Sequence, residues 1–328
     1  MKKSFLALGI ALAALTSCKQ FKKGPAGDML YKIYEDKTSP LIKEGDFVSI
    51  QAVEKTEEDS VLFSSYEFDR PSLLVRQKSI FKGDLFEALG MLSEGDSATF
   101  KISIDSMEKK MQKPKPKNTK GKYLVYDIKV LKVIPKGKLD DQAFKTKLNE
   151  YMVVEMQKAK NNEGGRINGY ISKKDLKSKI KVTSSGLNYI VDKEGAGQKP
   201  VAGDTVSLNY KGYLLSGKVF DTTLPDEAKK AGLFTAGRPY EPLKVPVGGN
   251  STIPGFDEAL MLFNKGTKAT VIIPSKLAYG EKGNPSIPPY TPLVFDITIE
   301  NVVPNRAGAP NVQILPSAPP APQTSSQK

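Results

Sequence analysis

The sequence of 328 residues contains no histidine, no tryptophan and a single cysteine, Cys18. Without histidine, neither a Ser-His-Asp triad nor a Cys-His pair can be assembled, and zinc sites built on histidine are excluded. One cysteine cannot form a disulfide within the chain. We therefore expect chemistry that needs no such nucleophile, no metal ion and no cofactor.

The charge is strongly of one sign, with a formal net charge of +13 at pH 7. Basic proteins often bind nucleic acid, but here the lysines are scattered along the whole chain and no nucleic-acid-binding motif accompanies them. The apolar fraction of 39% and the charged fraction of 26% are typical of a folded protein. The charge is interpreted as favouring solubility and attraction to anionic surfaces, and no nucleic-acid partner is expected.

The N-terminus has the pattern of a secretion signal. Two lysines at positions 2 and 3 precede an apolar run from Phe5 to Leu15 that is too short to span a bilayer. The run ends in Leu15-Thr16-Ser17-Cys18, which resembles the bacterial lipobox, where a cysteine is acylated before cleavage. An ordinary signal peptide, or a short buried helix with a chance cysteine, is the alternative.

This pattern predicts a lipoprotein signal peptide over residues 1–18 and an acylated Cys18 that inserts into a lipid membrane. Lys19, and not the aspartate associated with inner-membrane retention, follows the cysteine. The predicted location is the cell envelope, at the outer membrane and facing the periplasm.

Five further segments are predicted from composition and periodicity. They are a polar tether (19–27), a β-rich segment (28–135), a helical connector (136–180), a second β-rich segment (181–304) and a disordered tail rich in Pro, Ala, Ser and Gln (305–328).

In the connector, a helix is predicted to begin at Asp140 or Asp141 and to break at Asn161 to Gly165. One face of this helix is apolar, and it either packs on a neighbouring domain or binds a partner; its residues are Phe144, Leu148, Tyr151 and Met152.

The second β-rich segment carries six motif blocks in a fixed order. They are Val206 to Gly212, Ser216 to Thr223, Pro242 to Gly248, Ile253 to Leu260, Ile273 to Gly280, and Ile287 to Pro289 with Leu293 to Phe295. In this order and spacing they resemble the FKBP immunophilins, a family of peptidyl-prolyl cis-trans isomerases. The resemblance implies an antiparallel sheet curled around one short helix, here Gly255 to Phe263.

The resemblance also implies roles for individual residues. An aromatic and apolar box would be formed by Tyr210, Phe220, Ile253, Phe256 and Phe295, lined further by Leu243 and Thr252, with Ile287 on a flap. Tyr279 would offer its hydroxyl, the backbone N–H of Ile253 would be a second donor, and Asp221 would hold a hydrogen bond near the ligand carbonyl. Taken singly, the phenylalanines could be core residues, Tyr279 a strand-end tyrosine and Asp221 a turn cap.

Such a pocket can catalyse without an acid, a base or a nucleophile. Rotation about an X-Pro bond is slow because amide resonance imposes a barrier of about 18–20 kcal/mol. A site lowers this barrier if it binds the twisted amide better than the planar one and removes water from the carbonyl. The chain also departs from the family pattern: Leu243 replaces an aromatic residue, Asn284 stands where histidine is frequent, and Leu224 to Glu241 form an insertion with a predicted helix at Pro225 to Ala231.

The first β-rich segment resembles a worn copy of the second. Asp59 to Phe63 resembles Ser216 to Phe220, Glu87 to Leu89 resembles Glu258 to Leu260, and Val125 to Ile128 fits the last strand. In this alignment Ser64 replaces the carboxylate, and a lysine- and proline-rich loop, Lys109 to Lys122, replaces the Ala-Tyr-Gly flap. A generic β domain of other origin is the alternative.

The predicted fold is therefore a β-dominated α+β fold, with two FKBP-like domains joined by a helical connector and the first domain degenerate. The predicted function is isomerisation of X-Pro bonds in unfolded or proline-containing envelope polypeptides. The alternatives are a non-catalytic periplasmic chaperone or assembly module using the same pocket, and a purely structural lipoprotein.

Overall fold

The computed structural model of the chain describes residues 20–305, except 38, 69, 113, 117, 118 and 250. The predicted signal peptide, Cys18 and the predicted tail from residue 306 onward lie outside these described residues. The chain forms two compact units that divide between Leu148 and Asn149. None of the helices in the described ranges is both long and apolar enough to cross a membrane.

The first unit is built on one antiparallel sheet. Its strands are β1 (Lys22–Lys23), β2 (Leu30–Glu35), β3 (Phe47–Thr56), β4 (Val61–Ser64), β5 (Ser72–Val75), β6 (Ser97–Ser103) and β7 (Tyr123–Ile134). They are ordered β1-β2-β6-β7-β3-β4, and β5 also pairs with β3. The described part of this unit also contains the α-helices α1 (Leu85–Leu89) and α2 (Ile104–Met111) and a 3₁₀ helix at Ser65–Phe68.

The core of the first unit lies between the sheet and α1. Ile50 of β3, Phe100 of β6 and Leu124 of β7 are buried in one cluster with Ala88 and Leu89 of α1. α1 begins where the Asp84 carboxylate accepts the backbone N–H of Glu87 at 2.9 Å, which satisfies one of the free donors at the helix start. A sheet curled over one short helix is therefore the fold of this unit.

The second unit repeats this plan. Its strands are β8 (Lys181–Val182), β9 (Asn188–Lys193), β10 (Thr205–Leu214), β11 (Val219–Thr222), β12 (Leu243–Pro246), β13 (Lys268–Ile273) and β14 (Leu293–Val303). All pairings are antiparallel, in the order β11-β10-β14-β13-β9-β8, and β12 also pairs with β10. The β-dominated α+β fold predicted from the sequence is confirmed.

The helices that follow residue 180 are short. α4 (Pro225–Lys230) and α5 (Pro254–Leu262) lie close to the predicted bounds, and a 3₁₀ helix spans Ser275–Leu277. Along β10, buried side chains alternate strictly with half-buried ones, as expected of a strand with one face on the core. α5 lies against that inner face: Phe256, Ala259 and Leu260 are buried, and the ring of Phe256 contacts the ring of Tyr210 on β10.

The predicted break at Asn161 to Gly165 is wrong, because α3 (Asp141–Lys173) is continuous through it. Gly164 and Gly165 each lower helix stability by roughly 1 kcal/mol relative to alanine. Packing compensates for this cost one turn further on. An apolar cluster joins the helix to β13 and β14, and its members are Ile167, Tyr170, Ile171, Ile272 and Val294. The C-terminal half of the predicted connector therefore packs on the sheet of the second unit.

Candidate functional site

Four aromatic rings meet on the inner face of the second sheet. Phe295 is at their centre, with ring centroids 4.8 Å from Phe256, 5.6 Å from Phe220 and 6.0 Å from Tyr210. Tyr210 and Phe256 also meet edge to face at 5.9 Å. Three of these side chains are buried, whereas Phe220 is half-buried at the rim. The structure thus brings together the four predicted aromatic residues of the box.

The strands set this arrangement. Residue pairing places Gly212 of β10 opposite Phe295 of β14 and opposite Asp221 of β11. A Cβ atom at Gly212 would lie 2.8 Å from a ring carbon of Phe220 and 2.8 Å from one of Phe295. The two rings can approach each other because this position has no side chain.

A carboxylate closes one side of the box. Asp221 accepts the hydroxyl of Tyr210, the backbone N–H of Thr222 at 2.9 Å and Nη2 of Arg238 at 2.9 Å. Burial raises the pKa of the Tyr210 phenol far above its usual value, and the negative charge of Asp221 raises it further. Tyr210 therefore stays protonated and donates to Asp221, and the three donors together fix this carboxylate.

Tyr279 is the more exposed tyrosine of the site, and it lies near enough to Asp221 for the charge of this carboxylate to act on its phenol. Its side chain is 38% exposed. Burial of the rest raises the pKa of its phenol, a hydrogen bond with Asn284 lowers it, and the charge of Asp221 raises it. The net shift is upward, so at neutral pH the hydroxyl keeps its proton and can donate to a ligand.

The predicted flap is organised by Asn284. Its side-chain oxygen accepts the backbone N–H groups of Ser286 at 2.8 Å and Ile287 at 2.7 Å. The backbone N–H of Asn284 donates to the Ile287 carbonyl at 2.7 Å. The side chain of Ile287 is buried, with the residue 3% exposed. The flap is therefore an ordered turn that ends on a buried apolar side chain.

The remaining predicted residues lie on neighbouring elements. Leu243 begins β12 and pairs with Leu208 of β10. Ile253 caps the start of α5, three residues before Phe256. The hydroxyl oxygen of Thr252 is buried and has no hydrogen-bond partner among the described residues. For these three residues and Ile287, the predicted contact with a ligand stays a prediction.

Sequence reasoning missed Arg238 and the role of Asn284. Arg238 lies in the insertion, and its guanidinium also covers the ring of Tyr240 at 5.3 Å, while Tyr240 stacks on Phe234 at 5.3 Å. It is the one arginine of residues 181–304, where all other basic residues are lysines. An arginine among lysines could have indicated such a contact from the sequence, since arginine is preferred for fixed hydrogen bonds to a carboxylate.

The site offers apolar surface, hydroxyl donors and a fixed carboxylate. Within residues 20–305, gaps excepted, no group of three or more acidic or cysteine side chains is placed to hold a metal ion. These residues can enclose a small apolar ring, exclude water from a carbonyl beside it and donate a hydrogen bond.

The corresponding place in the first unit needs one correction. Strand pairing puts Phe63, and not Ser64, in the position of Asp221, because Ser64 pairs with Val53 as Thr222 pairs with Lys211. A hydrogen bond supports this register: Ser65 Oγ accepts the N–H of Ala52 at 2.9 Å. In the second unit, the hydroxyl of Thr223 accepts the N–H of Tyr210 at the same distance. The carboxylate is absent from this position in either alignment.

Comparison with known proteins points to one family. Residues 196–300 match the family model described as FKBP-type peptidyl-prolyl cis-trans isomerase. The protein of Escherichia coli K12 named FKBP-type peptidyl-prolyl cis-trans isomerase FkpA is 35% identical over 190 residues, which cover 56% of this chain and 63% of that protein. A protein of the same name from Aeromonas hydrophila is 29% identical over 299 residues, covering 91% of this chain and 93% of its own.

A solved structure gives a similar match. The crystal structure of FkpA from Escherichia coli is 34% identical, and the match covers 52% of this chain and 76% of that chain with a TM-score of 0.38. The chain spans 63% of the length of the curated Escherichia coli relative.

Proposed function

We propose that the second unit isomerises X-Pro bonds in polypeptides, as the match of residues 196–300 to the model of the FKBP-type peptidyl-prolyl cis-trans isomerase family indicates. The observation that carries this proposal is the box of Tyr210, Phe220, Phe256 and Phe295 with Asp221 fixed beside it. The substrates are unfolded or proline-containing polypeptides.

The proposed mechanism is selective binding of the twisted amide. The pyrrolidine ring enters the box, where the aromatic side chains replace water around the proline and the preceding carbonyl. Loss of amide resonance makes the twisted amide less polar than the planar one, so an apolar environment favours the transition state.

Polar groups at the rim orient the carbonyl. The Tyr279 hydroxyl, protonated at neutral pH, donates to the substrate, and the backbone N–H of Ile253 is the proposed second donor. Asp221 contributes a carboxylate that is already fixed by Tyr210 and Arg238, so no reorganisation is needed when substrate binds.

An exchange measurement on the full chain tests this function. When the protein is added to a peptide containing one X-Pro bond, exchange between the cis and trans forms should accelerate. It is observed as broadening of the cis and trans NMR signals or as transfer of magnetisation between them. Phe220→Ala should remove most of this exchange, provided that circular dichroism shows an intact fold, because truncation of a Phe can cost about 3–5 kcal/mol. Wild-type protein that leaves the uncatalysed rate unchanged would refute the proposal.

We further propose that the protein acts in the bacterial cell envelope, anchored at the outer membrane through acylated Cys18 and facing the periplasm. The proposal is supported by the lipobox-like Leu15 to Cys18. Each buried acyl CH₂ contributes about 0.8 kcal/mol, and an acyl chain contains many such groups. Each lysine near an anionic surface contributes only about 1 kcal/mol, so the acyl chains dominate the membrane binding.

Metabolic labelling with a fatty acid tests the anchor. Label should appear in the wild type and be absent from Cys18→Ser, and detergent should release the wild type from membranes where high salt does not. Equal labelling of the two proteins would exclude acylation at Cys18.

A further inference from the structure

The C-terminal half of α3 holds the segment that carries Tyr279. The Glu163 carboxylate accepts two hydrogen bonds from Ser275, one from the backbone N–H at 2.5 Å and one from the hydroxyl at 2.7 Å. Ser275 is 3% exposed and begins the 3₁₀ helix. Paired, partly buried hydrogen bonds to a carboxylate are among the stronger polar contacts in proteins.

Ser275 in turn determines the position of Tyr279. The Ser275 carbonyl accepts the N–H of Ala278 and the N–H of Gly280, both at 2.8 Å. Tyr279 lies between these two donors. A displacement of Ser275 therefore moves the backbone on both sides of Tyr279.

The far end of the same segment is also held by α3. Nη2 of Arg166 donates to the carbonyl of Tyr290 at 2.6 Å, and the N–H of Tyr290 donates to the carbonyl of Gly280 at 2.9 Å. Glu163 and Arg166 are three residues apart and so share one face of the helix. One helical turn thus contacts both ends of the segment from Ser275 to Tyr290, which includes Tyr279 and the flap.

The helix itself is fixed on the sheet. Ile167, Tyr170 and Ile171 pack against β13 and β14, and the hydroxyls of Tyr170 and Tyr213 lie 3.3 Å apart. A helix anchored by buried apolar side chains provides a rigid support for the polar contacts one turn earlier.

We propose that Glu163 is a positioning residue for the isomerase reaction: it holds Ser275, and through it places the Tyr279 hydroxyl where the substrate carbonyl arrives. The inference rests on the proposed function of the second unit. Its consequence is that residues outside the motif-bearing segment 181–304 set the geometry of the site.

Full-chain variants test this role against a matched control. Glu163→Ala should lower kcat/KM for a proline peptide on the order of 10-fold, mainly through kcat, since a small misplacement of a catalytic group is costly. Glu155→Ala makes the same change on the same helix, where Glu155 pairs with Lys158 at 2.7 Å, and should change kcat/KM less than about twofold. Glu163→Gln keeps one acceptor oxygen and should give an intermediate loss.

A second readout separates positioning from general stability. Hydrogen exchange at the amide of Ser275 should accelerate in Glu163→Ala and not in Glu155→Ala. As a single substitution, Ser275→Ala should lower kcat/KM. In the Glu163→Ala background it should cause no further loss, because its hydroxyl acts through its hydrogen bond with the Glu163 carboxylate.

The outcomes distinguish the two proposals. An active wild type with Glu163→Ala as active as Glu155→Ala would overturn the positioning role alone. An inactive wild type would overturn the proposed function, while exchange at Ser275 would still report whether Glu163 holds the segment. If Glu163→Ala does not fold, Glu163→Gln and Ser275→Ala decide the question by the same criteria.

Discussion

The two sheets of this protein share their strand order and their irregularities. In each, the strand second from one edge of the sheet (β3 or β10) pairs with the last strand of its unit, and this pairing shifts by one residue at Ser49/Ile50 and at Ser207/Leu208. Each of these strands directly follows a buried aspartate, Asp46 or Asp204, whose carboxylate accepts one backbone N–H from the turn before the strand and one from the chain just after the last strand of the unit. The common fold is therefore carried by backbone pairing and turn contacts.

The two sheets differ at the positions that form the aromatic box. Strand register puts Ala52 where the second sheet has Tyr210, and Leu62 where it has Phe220. The comparison teaches that box residues are separable from fold residues. The sheet forms with or without them, whereas the proposed activity requires them.

The largest effect is expected when two residues of the second sheet are replaced by their counterparts in the first sheet. We expect Phe220→Leu with Asp221→Phe, which reproduces Leu62 and Phe63, to lower kcat/KM on the order of 100-fold, because the box loses a wall and its fixed carboxylate. Peptide isomerisation by the full-length variant measures this.

The reciprocal variant is the control. Leu62→Phe with Phe63→Asp changes the same two positions in the first sheet and should leave activity at the wild-type level. If the change in the first sheet lowered activity as much as the change in the second, the assignment of the site to the second unit would be wrong. Asp221→Asn, which conserves shape, provides a milder test should the double variant unfold.

A single hydroxyl gives a smaller effect. Tyr126 stands where the second sheet has Phe295, and the strand partner of Tyr126 is Glu54, whereas the strand partner of Phe295 is Gly212. Phe295→Tyr therefore buries a hydroxyl opposite a residue without a side chain. We expect a loss of about 1–3 kcal/mol in the free energy of unfolding and roughly tenfold in kcat/KM.

Urea unfolding and the peptide assay measure the two effects of Phe295→Tyr. Phe100 is a fully buried phenylalanine of the first core, and Phe100→Tyr is the matched control. It should destabilise the protein by a similar amount without affecting turnover at temperatures where the variant remains folded. Loss of turnover in both variants alike would show that stability, and not the box, limits the activity.

The sequence was sufficient for what short stretches encode. The helix at Pro254–Leu262 follows from a local pattern of apolar residues, whereas the grouping of the four aromatic residues was implied by the resemblance that the ordered motifs carry. The contact of Glu163 with Ser275 joins residues 112 positions apart, and no local pattern predicts such a pair. Phe63 was misaligned because matching by residue type ignores strand register, in which a shift of one residue exchanges the two faces of the sheet.

The smallest expected effect concerns one buried phenol in each unit. Burial raises the pKa of Tyr126 and of Tyr210 above the ordinary value near 10, and the negative charges of Glu54 and Asp221 respectively add to the shift. Above pH 10 the unfolded chain loses these protons while the folded chain keeps them. The stabilisation from each phenol is therefore complete below about pH 10 and is lost as the pH rises, with a slope of up to about 1.4 kcal/mol per pH unit.

Urea unfolding between about pH 8 and pH 11 should show this slope. Tyr126→Phe and Tyr210→Phe should each flatten it relative to the wild type. Since lysines also titrate in this range, the difference between variants carries the test and the absolute slope does not. A slope equal to that of the wild type in both variants would mean that neither phenol is protected from ionisation in the folded protein. Flattening by Tyr126→Phe alone would show that the box around Tyr210 admits more water than the core around Tyr126, and would weaken the desolvation mechanism for the second unit.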